Sequence, residues 1–211
     1  MKIENIKKVN VTIFLPTPLN HLLISEKDLI GLFKTEDPQM DQHTFIEAPG
    51  IKALIFPKRK KDIVFETNRI LLNDTSGDRP ESSTIIDYLQ KILEKEVVTK
   101  KQVAIYGFNY DLVVLLEEGE SFDVTDFIGA KISSVSGDIK NIGVNIKFLK
   151  DDIKYIFKLD QLNENGQRFL VHFNAELRKE LPAFKEIKSE MTNQFKEFGK
   201  NIKKIWPQIN F

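Results

Sequence analysis

The chain contains no cysteine. Disulfides, thiolate nucleophiles and Cys-ligated zinc or iron–sulfur centres are therefore excluded. Histidine is nearly as scarce. His21, His43 and His172 share no helical or zinc-ligand spacing, and no HExxH occurs. Glycines are few and scattered; neither GxxxxGKS/T nor GxGxxG is present, so no phosphate-cradling loop stands out. A GxSxG elbow and an SxxK pair are missing too. These absences leave no support for serine, metal or nucleotide chemistry, and no cofactor is expected.

Charge of one sign is also lacking: 31 Lys and Arg balance 31 Asp and Glu. A partner that steers by bulk electrostatics, such as nucleic acid or an anionic membrane, favours a bias that is not there globally. No apolar run approaches the roughly 18 residues of a membrane span; the longest, Leu112–Leu116, is strand-sized. Residues 1–8 are charged, with no apolar run behind a basic start, and do not read as a secretory signal. The expectation is a soluble, cytoplasmic protein that does not engage a membrane.

What the chain does have is a long amphipathic C-terminal segment. From Leu181, apolar residues fall at Phe184, Ile187, Met191, Phe195, Phe198, Ile202 and Ile205, with gaps of three or four. That spacing predicts a helix over about 182–205 with one continuous apolar stripe. Pro182 suits its first turn and Pro207 a stop. The stripe must be buried, either on the chain's own sheet or on a partner. Beyond it lies an apolar tail, Trp206, Ile209 and Phe211, which docks on the parent fold or engages another chain.

Elsewhere the pattern is mostly of period two. Val9, Val11, Ile13 and Leu15 alternate as a strand that ends at Pro16 and Pro18. Ser25 starts a short helix through Phe33. Thr44–Glu47, Ile51–Phe56, Asp62–Glu66 and Arg69–Leu72 read as short strands, with Pro49-Gly50 and the basic stretch 57–61 as turns. A middle helix at about 83–96 buries Ile85, Ile86, Leu89, Ile92 and Leu93. Val103–Phe108 and Tyr110–Glu117 are one bulged strand or two strands joined by a tight turn at Gly107–Asn109. A weaker strand at Lys131–Ser136 precedes a meander whose alternations run Ile142–Phe148, Ile153–Leu159 and Phe169–Ala175. The sequence thus predicts an α+β fold. It has eight to nine antiparallel strands in one or two sheets, a short N-terminal helix, a middle helix and a long terminal helix covering the sheet. One domain over 1–211 is expected; if the chain divides, the seam falls within 73–101. Strands followed by a helix occur twice, without a repeat visible at residue level.

Three functional readings compete. The first is a non-enzymatic interaction or self-assembling module that binds another protein or itself as a homodimer. Its candidate residues are Phe195, Phe198, Ile202, Ile205, Trp206, Ile209 and Phe211, with open sheet edges as further docking sites. The second is a nucleic-acid-associated protein using the basic hairpin tip Lys58, Arg59, Lys60 and Lys61. The third is a small enzyme in which His172, or the acids Glu117, Glu118, Glu120, Asp123 and Asp126, gather around a cavity. His172 lies between two inward residues, so it is expected on the wetter face of its strand.

Overall fold

The computed structural model describes residues 2–95, 103–120, 143–162, 167–178 and 180–205. In chain order the elements are β1 (Lys2–Phe14), α1 (Glu26–Phe33), β2 (Thr44–Ala48), β3 (Ile51–Phe56), β4 (Lys61–Glu66), β5 (Arg69–Asp74) and α2 (Ile85–Glu94). They continue with β6 (Ile105–Leu115), β7 (Gly143–Lys150), β8 (Ile153–Gln161), β9 (Arg168–Leu177) and α3 (Phe184–Ile205). The expected α+β architecture is present, with all nine strands in one antiparallel sheet ordered β2-β3-β4-β5-β1-β6-β9-β8-β7. The strand expected at 131–136 and the tail from Trp206 lie outside the described residues.

The sheet sorts its side chains by face because alternate residues point to opposite sides. One register row can be followed across all nine strands on the helix side. It runs Phe45, Leu54, Ile63, Leu72, Val11 and then Phe108, Ala175, Tyr155, Phe148. Every member is apolar or aromatic, which is what a face covered by helices requires. Helix α2 lays Ile85, Ile86, Leu89, Ile92 and Leu93 on the first half of that face, and α3 lays Ile187, Met191, Phe195, Phe198 and Ile202 on the second.

Two calls about local structure are resolved by tertiary contacts. The stretch around Gly107 is a single continuous strand, not a hairpin. A Cβ at Gly107 would stand 2.8 Å from the carbonyl oxygen of Ala175, so the glycine lets β9 lie close. β1 starts at Lys2, seven residues before its apolar alternation. Its polar first part pairs only with β6, through register shifts between Ile3 and Asn5 and between Ile6 and Lys8, whereas Val9–Phe14 pair on both sides.

The strand order has an internal two-fold logic. Outward from the centre, the first half reads β1, β5, β4, β3 and the second reads β6, β9, β8, β7, with β2 added beyond β3 and without a counterpart among the described strands. Each half closes with a helix, α2 or α3. The coarse repetition in the sequence is thus a repetition of topology.

Hydrogen bonds pin α3 to its half of the sheet. The hydroxyl of Tyr106 donates to Glu190, that of Tyr110 to the Met191 carbonyl at 2.6 Å, and that of Tyr155 to Gln194 at 3.0 Å. Burial and the Glu190 carboxylate push the Tyr106 phenol far above its ordinary range. Lys150 of β7 adds an ion pair to Glu197 at 2.6 Å.

Candidate functional site

The helix-free face of the sheet is the place where unusual residues converge. A second register row crosses it, and its centre is four asparagines: Asn73 of β5, Asn10 of β1, Asn109 of β6 and Asn174 of β9. Asn174 donates to Asn109 Oδ1 at 2.6 Å, Asn109 to Asn10 Oδ1 at 2.5 Å, and Asn10 to Asn73 Oδ1 at 2.8 Å. Asn73 in turn donates to Asp62 Oδ1 of β4 at 2.6 Å. Asn10 is saturated: it also donates to the Leu72 carbonyl and accepts from the Thr12 hydroxyl. The carboxylate of Asp62 only accepts, so it orients the whole amide chain in one direction. Burial pushes the Asp62 carboxyl up, against the lowering effects of the Asn73 bond and the Lys8 charge.

Asn10 and Asn109 face each other in the central pair β1–β6, about which the strand order repeats. Outward from them, Asn73 and then Asp62 on one side correspond in register to Asn174 and then Ile156 on the other. The ladder therefore ends on a charge at one side and on an apolar residue at the other. Its signal in the sequence is an asparagine in the middle of an apolar strand, Val-Asn-Val, Leu-Asn-Asp, Phe-Asn-Tyr and Phe-Asn-Ala; the same pattern at Val144-Asn145-Ile146 lies outside the ladder, opposite Lys158. Asparagine is depleted in strands, so the recurrence was informative.

Because each amide holds the next, the ladder should behave as a unit. Asn10→Ala is expected to cost about 1–3 kcal/mol by orphaning buried partners. A double-mutant cycle with Asn109→Ala, read by urea denaturation, should show non-additivity of about 0.5–3 kcal/mol. Strict additivity would mean that the amides act independently.

A cleft of about 330 Å³ opens over this row. His172 lines it, on the wetter face of β9 as its phase requires. Its Nδ1–H donates to Asp111 Oδ1 at 2.5 Å, and Lys8 Nζ meets Asp111 Oδ2 at 3.0 Å. Burial raises the Asp111 carboxyl, but the bonds from His172 and Lys8 outweigh it and leave it below the ordinary carboxylate range. Lys8, Asp111, His172 and Lys158 are neighbours across β1, β6, β9 and β8. Lys158 and Glu176 line the same cleft. Thr12, the hydroxyl of the cleft, is committed to Asn10.

The acids at 117–126 do not form a described site. Glu120 Oε2 accepts from the Glu117 backbone N–H at 2.8 Å within their own turn, and Asp123 and Asp126 lie outside the described residues. Among the described residues no three His, Asp or Glu side chains converge as a metal site.

The basic hairpin tip is largely consumed by the fold. Arg59 donates to the Met40 carbonyl at 2.7 Å, the Phe33 carbonyl at 2.8 Å and the Tyr88 hydroxyl at 3.0 Å, pairs with Asp41, and lies over the Phe56 ring. Its side chain is only 10% exposed. Lys61 turns inward to Asp74 at 3.3 Å. Lys58 and Lys60 remain outward; Lys60 takes a positive φ of 53° at the turn. A patch of four solvent-facing cations is therefore corrected to two, because alternation at the start of β4 sends Lys61 to the helix side.

Asp74 anchors the other end of that inward contact. Its carboxylate accepts from Ser83 at 2.5 Å and from the Ser76 backbone N–H at 3.0 Å. Burial alone would raise it; Ser83, Ser76 and Lys61 together hold it below the ordinary 3.8. A carboxyl lowered on folding supplies stability that is complete above the unfolded value and drains as pH falls through the folded one. Asp74→Asn should therefore flatten the stability–pH curve below about pH 4, measured by urea titration at stepped pH. An unchanged acid limb would rule the network out as its source.

The candidate interaction residues separate into two groups. Phe195, Phe198 and Ile202 are buried at 3%, 0% and 0% exposure in the chain's own core and offer no free surface. That part of the interaction surface is corrected: the stripe finds its partner in β6, β8 and β9. The Ile205 side chain, Trp206, Ile209 and Phe211 lie outside the described residues. Among the described residues no helix is long and apolar enough to cross a membrane.

Exposed apolar side chains occur at both ends of the sheet, Leu149 on β7 and Ile46 and Ile51 at the β2 end, and at Leu22 and Leu23 before α1. On the helix-free face, Leu71, Val64, Ala53 and Ile46 are successive neighbours from β5 to β2. Ile46 and Ile51 there are 45% and 42% exposed. β2 is the terminal strand, and nearly all of it faces solvent. No family model matches the chain, and no curated protein sequence is similar enough to count as a relative.

Proposed function

We propose that this protein is a non-enzymatic interaction module that binds polypeptide through the β2 end of its sheet. The supporting observation is the edge strand itself. Thr44-Phe45-Ile46-Glu47-Ala48 has no proline, no lysine and no bulge; its protections are its shortness and one charge, Glu47, which is tied to Lys52 of its own chain. Its outward backbone groups can be satisfied only by water or by another strand, and the neighbouring Ile46 and Ile51 supply apolar contact on one face. The strand at the opposite end of the sheet, β7, also exposes an apolar side chain, Leu149, but sets it beside the edge lysines Lys147 and Lys150.

The nucleic-acid reading keeps Lys58 and Lys60 only, too few for the phosphate contacts that give strong salt-dependent binding. The enzyme reading keeps the His172–Asp111 pair with Lys158 and Glu176 in the same cleft, and its one hydroxyl, Thr12, is bonded to Asn10.

An array of synthetic peptides with alternating apolar and polar residues provides the test, each peptide paired with a proline-interrupted version. Binding by the wild-type chain, lost with proline peptides and with Ile46→Lys, is the expected result. Equal binding by wild type and Ile46→Lys removes the edge as the working surface. A chain that binds no peptide and does not self-associate overturns the interaction reading altogether.

A further inference from the structure

We infer that the strand received by β2 is β2 of a second copy of this chain, paired antiparallel about a two-fold axis at Ile46. The inference rests on the reading above that this edge accepts polypeptide. It adds which polypeptide, and in which register.

Geometry leaves few ways to join two such edges. A two-fold axis perpendicular to the joined sheet keeps the same face of both copies together. Residues opposite one another must then share a face, and a slip of one residue would set Phe45 against Ile46 from opposite faces. Three centres remain within the strand. Centring on Phe45 pairs only residues 44–46. Centring on Glu47 pairs only 46–48 and sets Glu47 against its own copy, a like-charge opposition that destabilises a strand pair. Centring on Ile46 pairs the whole strand: Thr44 with Ala48, Phe45 with Glu47, and Ile46 with itself.

Chemistry favours the same register. Glu47, the one charge on the strand, is already compensated within its own chain by Lys52 at 2.8 Å. No like charges meet. On the helix-free face the apolar row Val64, Ala53 and Ile46 would run straight into its copy, so both half-exposed Ile46 side chains become buried by each other. The contact is isologous and closes on itself. Each copy uses its β2 edge once, which ends the hazard of open-ended strand addition there.

The cysteine-free sequence makes the test clean, because one introduced thiol is the only one. By light scattering, the full chain is expected at twice its 24.4 kDa mass at high concentration, falling towards the monomer on dilution. Ile46→Lys should be a folded monomer with an unchanged circular dichroism spectrum, since the site is half-exposed in one chain. Under mild oxidation Ile46→Cys should form a disulfide-linked dimer at least ~10-fold faster than Leu149→Cys on the opposite end strand, because pairing raises the effective thiol concentration. A wild-type chain that stays monomeric at every concentration overturns the inference, as does a dimer indifferent to Ile46→Lys. If that monomer still binds array peptides through Ile46, the edge reading survives and the second copy does not. If it binds none, both fall.

Discussion

Replacing Arg59 by alanine is expected to cost the fold about 3–5 kcal/mol, the range for breaking a buried, hydrogen-bonded charge site. The side chain looks from sequence like one of four equivalent cations on a hairpin tip. In the structure its guanidinium closes the C-terminal end of α1 through the Phe33 carbonyl and ties down the following loop through Met40 and Asp41. It also reaches α2 at Tyr88 and covers Phe56 at 4.4 Å from the ring centre. Removing it orphans acceptors contributed by three segments at once. Arg59→Lys should recover less than half of the loss, because one ammonium cannot reproduce a planar fork stacked on a ring. Lys58→Ala and Lys60→Ala should each stay within about 0.5 kcal/mol of wild type, as outward surface changes do. Urea denaturation of the four variants decides the matter. An Arg59→Ala chain as stable as wild type would return the residue to the surface and revive the basic patch. A combined change of Lys58, Arg59, Lys60 and Lys61 to serine is a poor probe of nucleic-acid binding, since its first effect would be on folding.

The second large effect is expected at Phe198. Its ring stacks on Phe173 with centroids 4.8 Å apart and planes 9° from parallel, and it also meets Tyr110, Phe157 and Phe195. Phe198→Ala should destabilise the chain by about 3–5 kcal/mol, the transfer loss plus the cavity left between a helix and a sheet that cannot collapse onto it. Phe198→Leu should cost less, because it retains most of the volume. The measurement also discriminates between the two uses of an amphipathic helix. If α3 held its stripe ready for a partner, Phe198→Ala would leave the isolated chain nearly unchanged; a loss of this size places the residue in the core. The three tyrosine hydroxyls that reach α3 argue for the second outcome, since each fixes the helix to a strand by a bond of defined geometry.

Much of the fold was legible because its signals are local. Alternation in β7 to β9, the turn residues between β2 and β5, and the apolar stripes of α2 and α3 need only the period of the element and the chemistry of its ends. The continuity of β6 was not legible. Gly107 and Asn109 have the composition of a turn, and only the closeness of the Ala175 carbonyl shows why glycine stands in mid-strand. The inward turn of Arg59 and Lys61 was hidden for a related reason. A basic run has the same appearance whether solvent or buried carbonyls receive it; what differs is the position of Phe33, Met40 and Tyr88, which lie 26, 19 and 29 residues away in the chain.

The candidate sites divide in the same way. His172 was placed on the correct face by alternation alone, yet its bond to Asp111 spans 61 residues and follows from β6 and β9 being neighbours. The asparagine ladder is the clearest case. Each asparagine is visible in its strand as a polar residue among apolar ones, but their meeting depends on the order β5, β1, β6, β9, which no local pattern encodes.

By itself the sequence determined the class of fold, the type and approximate extent of most elements, and the exclusion of cysteine chemistry. Those follow from periodicity and residue chemistry within a few turns or strands. Tertiary structure alone decided that the strands form one sheet with an internal two-fold order and that the asparagines join across it. It also decided that the basic tip is half consumed, and that β2 is the terminal strand among the described residues. Each of these depends on which distant strands share hydrogen bonds, and a register is set by the packing of the whole face rather than by any one segment.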